Sequence, residues 1–389
     1  MSESQLDRRS FIATSVAVGS ATLLSTIPGF AQTTSAARTE TRPSTVSEES
    51  QSRLPDNIQW YDVREWGVEG KGFADTKDFY DRLPTRAKGV VRNAIWDLSQ
   101  FSTGMSAHFE ADTAAIFVRY EVTDKKTAIA RHSGSGVDLY ARYEDKWRYL
   151  ATHLPIAPVV AHELQNHIYP GRRTYHLNLP YFNGVRSMEI GIPKGDYFKP
   201  IAPRREKAIL FYGTSITQGG HASRPGMSFV TILGRKLDLP ILNFGFSGNG
   251  KMEPAVAQFL AELDPAIFVI DCVGNSSLRD ITDHTVPVVK TLRAARASTP
   301  ILLLDRPLFP NRNLCGHPYN DVPAKNAALR KCYEDLLQAG TSKLFYRIGE
   351  GLIGSDGDAT VDGAHPSDLG MMRYADGLEP TLREILTPA

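Results

Sequence analysis

Cysteine is nearly missing from this chain of 389 residues: there are 3, Cys272, Cys315 and Cys332, and no two of them form a Cys-x-x-Cys pair. That excludes a disulfide framework and a cysteine-based zinc site, and leaves room for one bridge at most. Charge of one sign is missing too. With 44 Lys plus Arg against 43 Asp plus Glu, the formal net charge is +1. No long run of Lys and Arg crosses the body of the chain, so neither nucleic acid nor anionic lipid has a broad field to bind. Long uninterrupted apolar runs are also lacking, which argues against a permanent membrane span and against a lid or lipid-binding surface. What remains is ordinary globular material, 42% hydrophobic and 22% charged, too apolar for disorder. The length exceeds what one hydrophobic core usually organises, so two globular units plus appendages are expected.

The amino terminus has the pattern of an address. Residues 1–31 begin polar with Arg8-Arg9, continue as a moderately apolar segment diluted by Ser, Thr and Gly, and end at Gly29-Phe30-Ala31. This predicts a cleaved signal peptide and export, leaving no stable membrane span in the mature protein. Asp7-Arg8-Arg9-Ser10-Phe11-Ile12 resembles the twin-arginine export signal, although Asp7 and Ala13 depart from its usual residues. Residues 32–55, rich in Ser, Thr, Glu, Gln and Arg, are expected to be a disordered linker.

From 56 to 203 the apolar residues come in short alternating runs, as in Ala115-Ile116-Phe117-Val118-Arg119-Tyr120-Glu121-Val122. Residues 137–143, 173–179 and 187–192 repeat that period. It predicts an all-β, jelly-roll-like sandwich. From 204 to 389 apolar runs alternate with longer amphipathic stretches, the pattern of repeated βα units. Strands are expected at 208–212, 241–244, 266–270, 301–304 and 343–346. Helices are expected near 228–237, 254–263, 284–297 and 323–339, with a last one after Pro366. The predicted fold is a flavodoxin-like three-layer α/β/α domain with a parallel sheet, whose active residues gather at the carboxyl ends of the strands.

Four short elements could carry chemistry. Gly213-Thr214-Ser215 follows the first of these strands, where a serine can expose its hydroxyl and set its own N–H beside a developing oxyanion. Neither a P-loop nor a G-x-S-x-G elbow is present. Asn243-Phe244-Gly245-Phe246-Ser247-Gly248-Asn249-Gly250 follows the second strand and brings backbone N–H groups close to a ligand, or is an ordinary turn needing positive φ. Val273-Gly274-Asn275-Ser276-Ser277 follows the third, with Asn275 either aiming its amide at the same point or capping a helix. Asp362-Gly363-Ala364-His365-Pro366 precedes the last helix, and a carboxylate three residues before an imidazole can fix its tautomer. Histidines 162, 167 and 176 lack metal-ligand spacing.

Taken in order, these four elements resemble the blocks of the SGNH (GDSL-like) hydrolase superfamily over roughly residues 205–375. The resemblance implies Ser215 as nucleophile, His365 as general base and Asp362 as its partner. The N–H groups of Ser215 and Gly248 and the amide of Asn275 would form the oxyanion hole. Thr214 and Ile216 replace the usual Asp and Leu around the serine, and Ser276 replaces the acid that usually follows the asparagine. Gly136-Val137-Asp138-Leu139-Tyr140 resembles the Gly-x-Asp-Leu-Tyr motif of the β-sandwich that precedes a subset of bacterial members, and is otherwise a strand with an exposed Asp. The implied activity is a serine esterase working through an acyl-enzyme, with no metal or organic cofactor. Its substrate would be a small-molecule or glycan ester carrying short acyl groups such as acetyl. An acyltransferase using the same residues and a non-catalytic glycan-binding protein are the alternatives. Oligomeric state is not legible.

Overall fold

The computed structural model describes residues 54–123, 134–155, 158–308, 311, 313–314 and 320–387. The expected leader, most of the linker and Cys315 lie outside them. The described residues fall in one compact unit.

The first half supplies nine strands: β1 (Ile58–Asp62), β2 (Ser106–Asp112), β3 (Ile116–Val122), β4 (Val137–Tyr143), β5 (Lys146–His153), β6 (Val159–Gln165), β7 (Arg173–Asn178), β8 (Val185–Pro193) and β9 (Tyr197–Ile201). They form two antiparallel sheets, ordered β1-β8-β3-β6 and β5-β4-β7-β2-β9. Alternation decides the faces. Val118, Tyr120 and Val122 of β3 meet Ala107 and Phe109 of β2, Leu139 of β4 and Leu177 of β7 in one core between the sheets. On the other face of β3, Arg119 stands opposite Glu189 and donates to it at 2.6 and 2.7 Å.

The other face of the second sheet is polar and yet not open to water. Asp138, Asn178, His108 and His176 are all buried, because the second half of the chain covers them. Arg204 and Arg235, with Thr231 and Asp238, line the seam against Ser106, His108, His176 and Asn178. Buried polar groups need partners: within the sheet Ser106 bonds His108, His176 bonds Asn178 and Asn178 donates to Asp138, and across the seam Asp138 accepts from Arg224 and the Gly226 N–H.

The second half builds a five-stranded parallel sheet from β10 (Ile209–Gly213), β11 (Ile241–Gly245), β12 (Ile267–Asp271), β13 (Ile301–Leu304) and β14 (Leu344–Arg347), in the order β11-β10-β12-β13-β14. Strands buried on both faces become continuous apolar runs. Leu210, Phe268 and Leu303 face the helices Pro254–Leu260, Leu278–Ala295 and Val322–Gln338. Phe211, Val269 and Leu302 face Phe229–Leu237 and Asp368–Leu386. The first of these layers also receives Phe73, Leu83, Ile95 and Trp96, so a segment of the first half completes the core of the second.

Candidate active site

The order of strands reverses between β10 and β12, which opens a crevice at their carboxyl ends. Ser215 follows β10 there. Thr214 caps the short helix Ser215–Gln218, accepting from the Ile216 N–H, while Thr217 closes a capping box from the other side. The Thr217 hydroxyl also donates to Asp271 Oδ2 at 2.7 Å, tying the turn to the end of β12. Burial, opposed by that hydrogen bond, pushes the Asp271 carboxyl up to about 7.

Ser215 Oγ lies 2.8 Å from His365 Nε2, and His365 Nδ1 lies 2.7 Å from Asp362 Oδ2. The other carboxylate oxygen accepts the backbone N–H groups of His365 at 2.7 Å and Ala364 at 2.9 Å. Partial burial raises the Asp362 pKa, but these N–H donors and the imidazole outweigh it and hold the carboxyl at about 2. Ser215 is buried, His365 is half-buried and Asp362 is exposed, so the chain of hydrogen bonds runs from the crevice floor to solvent.

The glycine-rich loop leans on the serine turn. Phe246 N–H donates to Gly213 O at 2.9 Å and Ser247 N–H donates to Gln218 Oε1 at 2.8 Å. A Cβ on Gly250 would stand 1.9 Å from Gly213 O, so only glycine permits this approach. Gly248 takes a φ of +69°. Asn275 is half-buried, and its buried Oδ1 has no hydrogen-bond partner among the described residues. The helix it precedes is capped by Ser277 in a capping box with Asp280, which leaves the Asn275 side chain free of that task.

Several residues around this site carried no signal in the sequence. His221, at φ +67°, places its ring 4.9 Å from that of His365. Burial first, and then the neighbouring His365, push its pKa down. One ligand atom from each of His221, Asp362 and His365 lies within 4.8 Å of the others, but two of the three residues are already joined in the chain from Ser215. Arg82, fully buried, donates to Asn243 O at 2.9 Å and Gly245 O at 2.8 Å. Arg92 donates to Asn249 Oδ1 at 2.9 Å. These reach the glycine-rich loop from the first half, where no local pattern announces them. Asp138, which the alternative to the Gly-x-Asp-Leu-Tyr resemblance would leave exposed, is fully buried, because β4 turns that face toward the second half. His162 stacks on His153, and His176 lies against His108.

The model of the GDSL-like lipase/acylhydrolase family matches residues 206–383, and the GxDLY model, the N-terminus of SGNH-hydrolase-type esterases, matches 58–198. Among solved structures, a GDSL-like lipase from Bacteroides ovatus is 30% identical with a TM-score of 0.81, covering 85% of this chain and 98% of its own. A salicylyl-acyltransferase from a tetracycline biosynthetic pathway gives 16% and 0.70 over the same shares, 85% and 98%. An acetyl xylan esterase from the rumen bacterium Butyrivibrio proteoclasticus gives 12% and 0.53, again over 85% and 98%. These last two likenesses show the fold alone. No curated protein matches the sequence. Among the described residues no helix is long and apolar enough to cross a membrane.

Proposed function

Since the chain belongs to the GDSL-like lipase/acylhydrolase family and is a hydrolase of the esterase class, we propose that it cleaves carboxylic esters through an acyl-enzyme on Ser215. The observation that carries this reading is the unbroken chain from Ser215 Oγ to His365 Nε2 at 2.8 Å and from His365 Nδ1 to Asp362 Oδ2 at 2.7 Å. With Asp362 ionised, Nδ1 keeps its proton and Nε2 is left with a lone pair aimed at the hydroxyl. His365 takes the Ser215 proton as Oγ attacks the ester carbonyl. The same proton then passes to the leaving alcohol. Water, deprotonated by His365, attacks the acyl carbonyl in the second half and restores Ser215.

Negative charge on the carbonyl oxygen is met by the N–H groups of Ser215 and Gly248 and by the Asn275 amide. Loss of one such donor costs about 3 kcal/mol of barrier. The substrate is a short acyl ester, acetyl above all, on a carbohydrate, met after the leader has carried the protein out of the cytoplasm. A fold shared with an acetyl xylan esterase is consistent with this substrate.

Turnover of 4-nitrophenyl acetate, longer homologues and acetylated xylan by the wild type and by Ser215→Ala tests this. Expected are activity that falls with acyl length and its loss in the variant by at least about 1,000-fold. Hydrolysis surviving in Ser215→Ala would end the reading. Transfer to an added alcohol in preference to water would make the enzyme an acyltransferase.

A further inference from the structure

The polar face of the second sheet ends at the loop that follows the serine turn. Asp138 of β4 is fully buried and both its oxygens are taken. Oδ1 accepts from Asn178 Nδ2 at 2.8 Å, and Oδ2 accepts from Arg224 Nη1 at 2.7 Å and from the Gly226 N–H at 2.8 Å. Tyr140, on the same face of β4, accepts from Arg224 Nη1 at 2.5 Å. The Arg224 guanidinium also lies 4.0 Å from the centroid of the Tyr149 ring. Arg235 closes the clamp by donating to Gly226 O at 2.6 Å while lying 4.2 Å over Tyr140.

The other end of the same loop is held from the carboxyl-terminal side. Ser223 donates its N–H to Asp368 Oδ1 at 2.8 Å and its hydroxyl to Asp368 Oδ2 at 2.6 Å, three residues beyond His365. Upstream of Ser223, beside the buried Ala222, sits His221, whose ring is tilted 37° against that of His365. A non-glycine residue at φ +67° persists only where its surroundings over-determine it. The two carboxylate anchors do so here.

We propose that Asp138 is a positioning residue for ester hydrolysis: by fixing Arg224 and Gly226 it keeps the His221 ring against the His365 imidazole, which holds that base in the rotamer facing Ser215 Oγ. The inference rests on the serine-esterase reading of the site. It gives the Asp and Tyr of the Gly-x-Asp-Leu-Tyr motif a task in the second half of the molecule, although neither touches the reacting atoms. Only a carboxylate suits the position. Three donors converge on two oxygens, and an asparagine would turn an NH2 against either Asn178 or the Arg224 and Gly226 pair.

A double-mutant cycle on the full chain tests it, with kcat and KM for 4-nitrophenyl acetate read beside the melting temperature. Asp138→Asn and His221→Ala are each expected to lower kcat about 10-fold with KM held within about 2-fold. The double variant is expected to be no slower than the slower single one, because both changes act through one ring. An unchanged kcat in Asp138→Asn, or losses that multiply to about 100-fold, would overturn the proposal and leave Asp138 as structural support alone. If Asp138→Asn does not fold, Tyr140→Phe, which removes the hydroxyl that accepts from Arg224 and donates to Gly226 O at 3.5 Å, takes its place in the cycle with an expected loss of about 3-fold. Ser215→Ala in each background separates the two claims. Activity that survives it sinks the esterase reading, whereas Ser215-dependent activity indifferent to residue 138 sinks this inference only.

Discussion

Asp362 takes three hydrogen bonds from two residues of its own loop, two from backbone N–H groups and one from the His365 ring. Its carboxyl, held at about 2, stays ionised at any working pH, so the acid limb of the activity profile owes nothing to it. The sign for stability follows from the same depression. The folded pKa lies below the unfolded one, so the stability it adds is present above about pH 4 and lost as the pH falls toward 2. With the side chain 44% exposed, that contribution is small. The catalytic contribution is not small. Asp362→Asn disturbs the tautomer of His365 and is expected to lower kcat by roughly 100- to 10,000-fold with little change in KM. Steady-state kinetics would show it, and a kcat within about 3-fold of the wild type would remove Asp362 from the mechanism.

At the level of elements, the parallel strands were the most legible, because a strand covered on both faces is a continuous apolar run with a helix after it. Each expected strand of the second half lies within a residue or two of the observed one. Strands β1, β2, β5, β6 and β9 were not singled out. β5 is exposed over much of its length and β9 contains Pro200, so neither shows a clean apolar period. What alternation could not reveal was which polar face meets water: Asp138 and Tyr140 follow the same pattern as a solvated strand and are buried by distant residues. Arg82 shows the same blindness. Its guanidinium is bonded to Leu98 O at 2.6 Å and Phe101 O at 3.1 Å as well as to the two carbonyls at the end of β11. Burial pulls its pKa down to about 9, so it remains a cation at neutral pH. Arg82→Met leaves those carbonyls without their donor and is expected to destabilise by about 3 kcal/mol or more. Chemical denaturation reads it as a lowered midpoint; an unchanged midpoint would show that other donors replace the guanidinium.

For the whole molecule the seam between the two halves decides how it unfolds. Phe73, Leu83, Ile95 and Trp96 cannot leave the layer around Leu210 without opening it. Arg204 spans the same seam to Glu69 with two hydrogen bonds of 2.8 Å. Calorimetry should therefore record one cooperative transition for both halves, and two separated transitions would show that the sandwich folds by itself. The seam also makes stability depend on acid. Burial pushes the His108 imidazole below its ordinary value, against the pull of Glu69 toward the charged form. Below about pH 6.5 the unfolded chain takes up a proton at this position before the folded one does, so stability held above that pH is lost on acidification. Asp271, raised to about 7, acts in the opposite sense, its contribution being lost as the pH rises from about 4 through 7, so the wild-type curve alone does not separate the two. His108→Gln does: it keeps a hydrogen-bonding side chain and removes the proton, and should reduce the loss between pH 6.5 and 5 by up to about 1.4 kcal/mol per pH unit. Identical slopes for variant and wild type would mean that this imidazole titrates alike in the folded and unfolded chain.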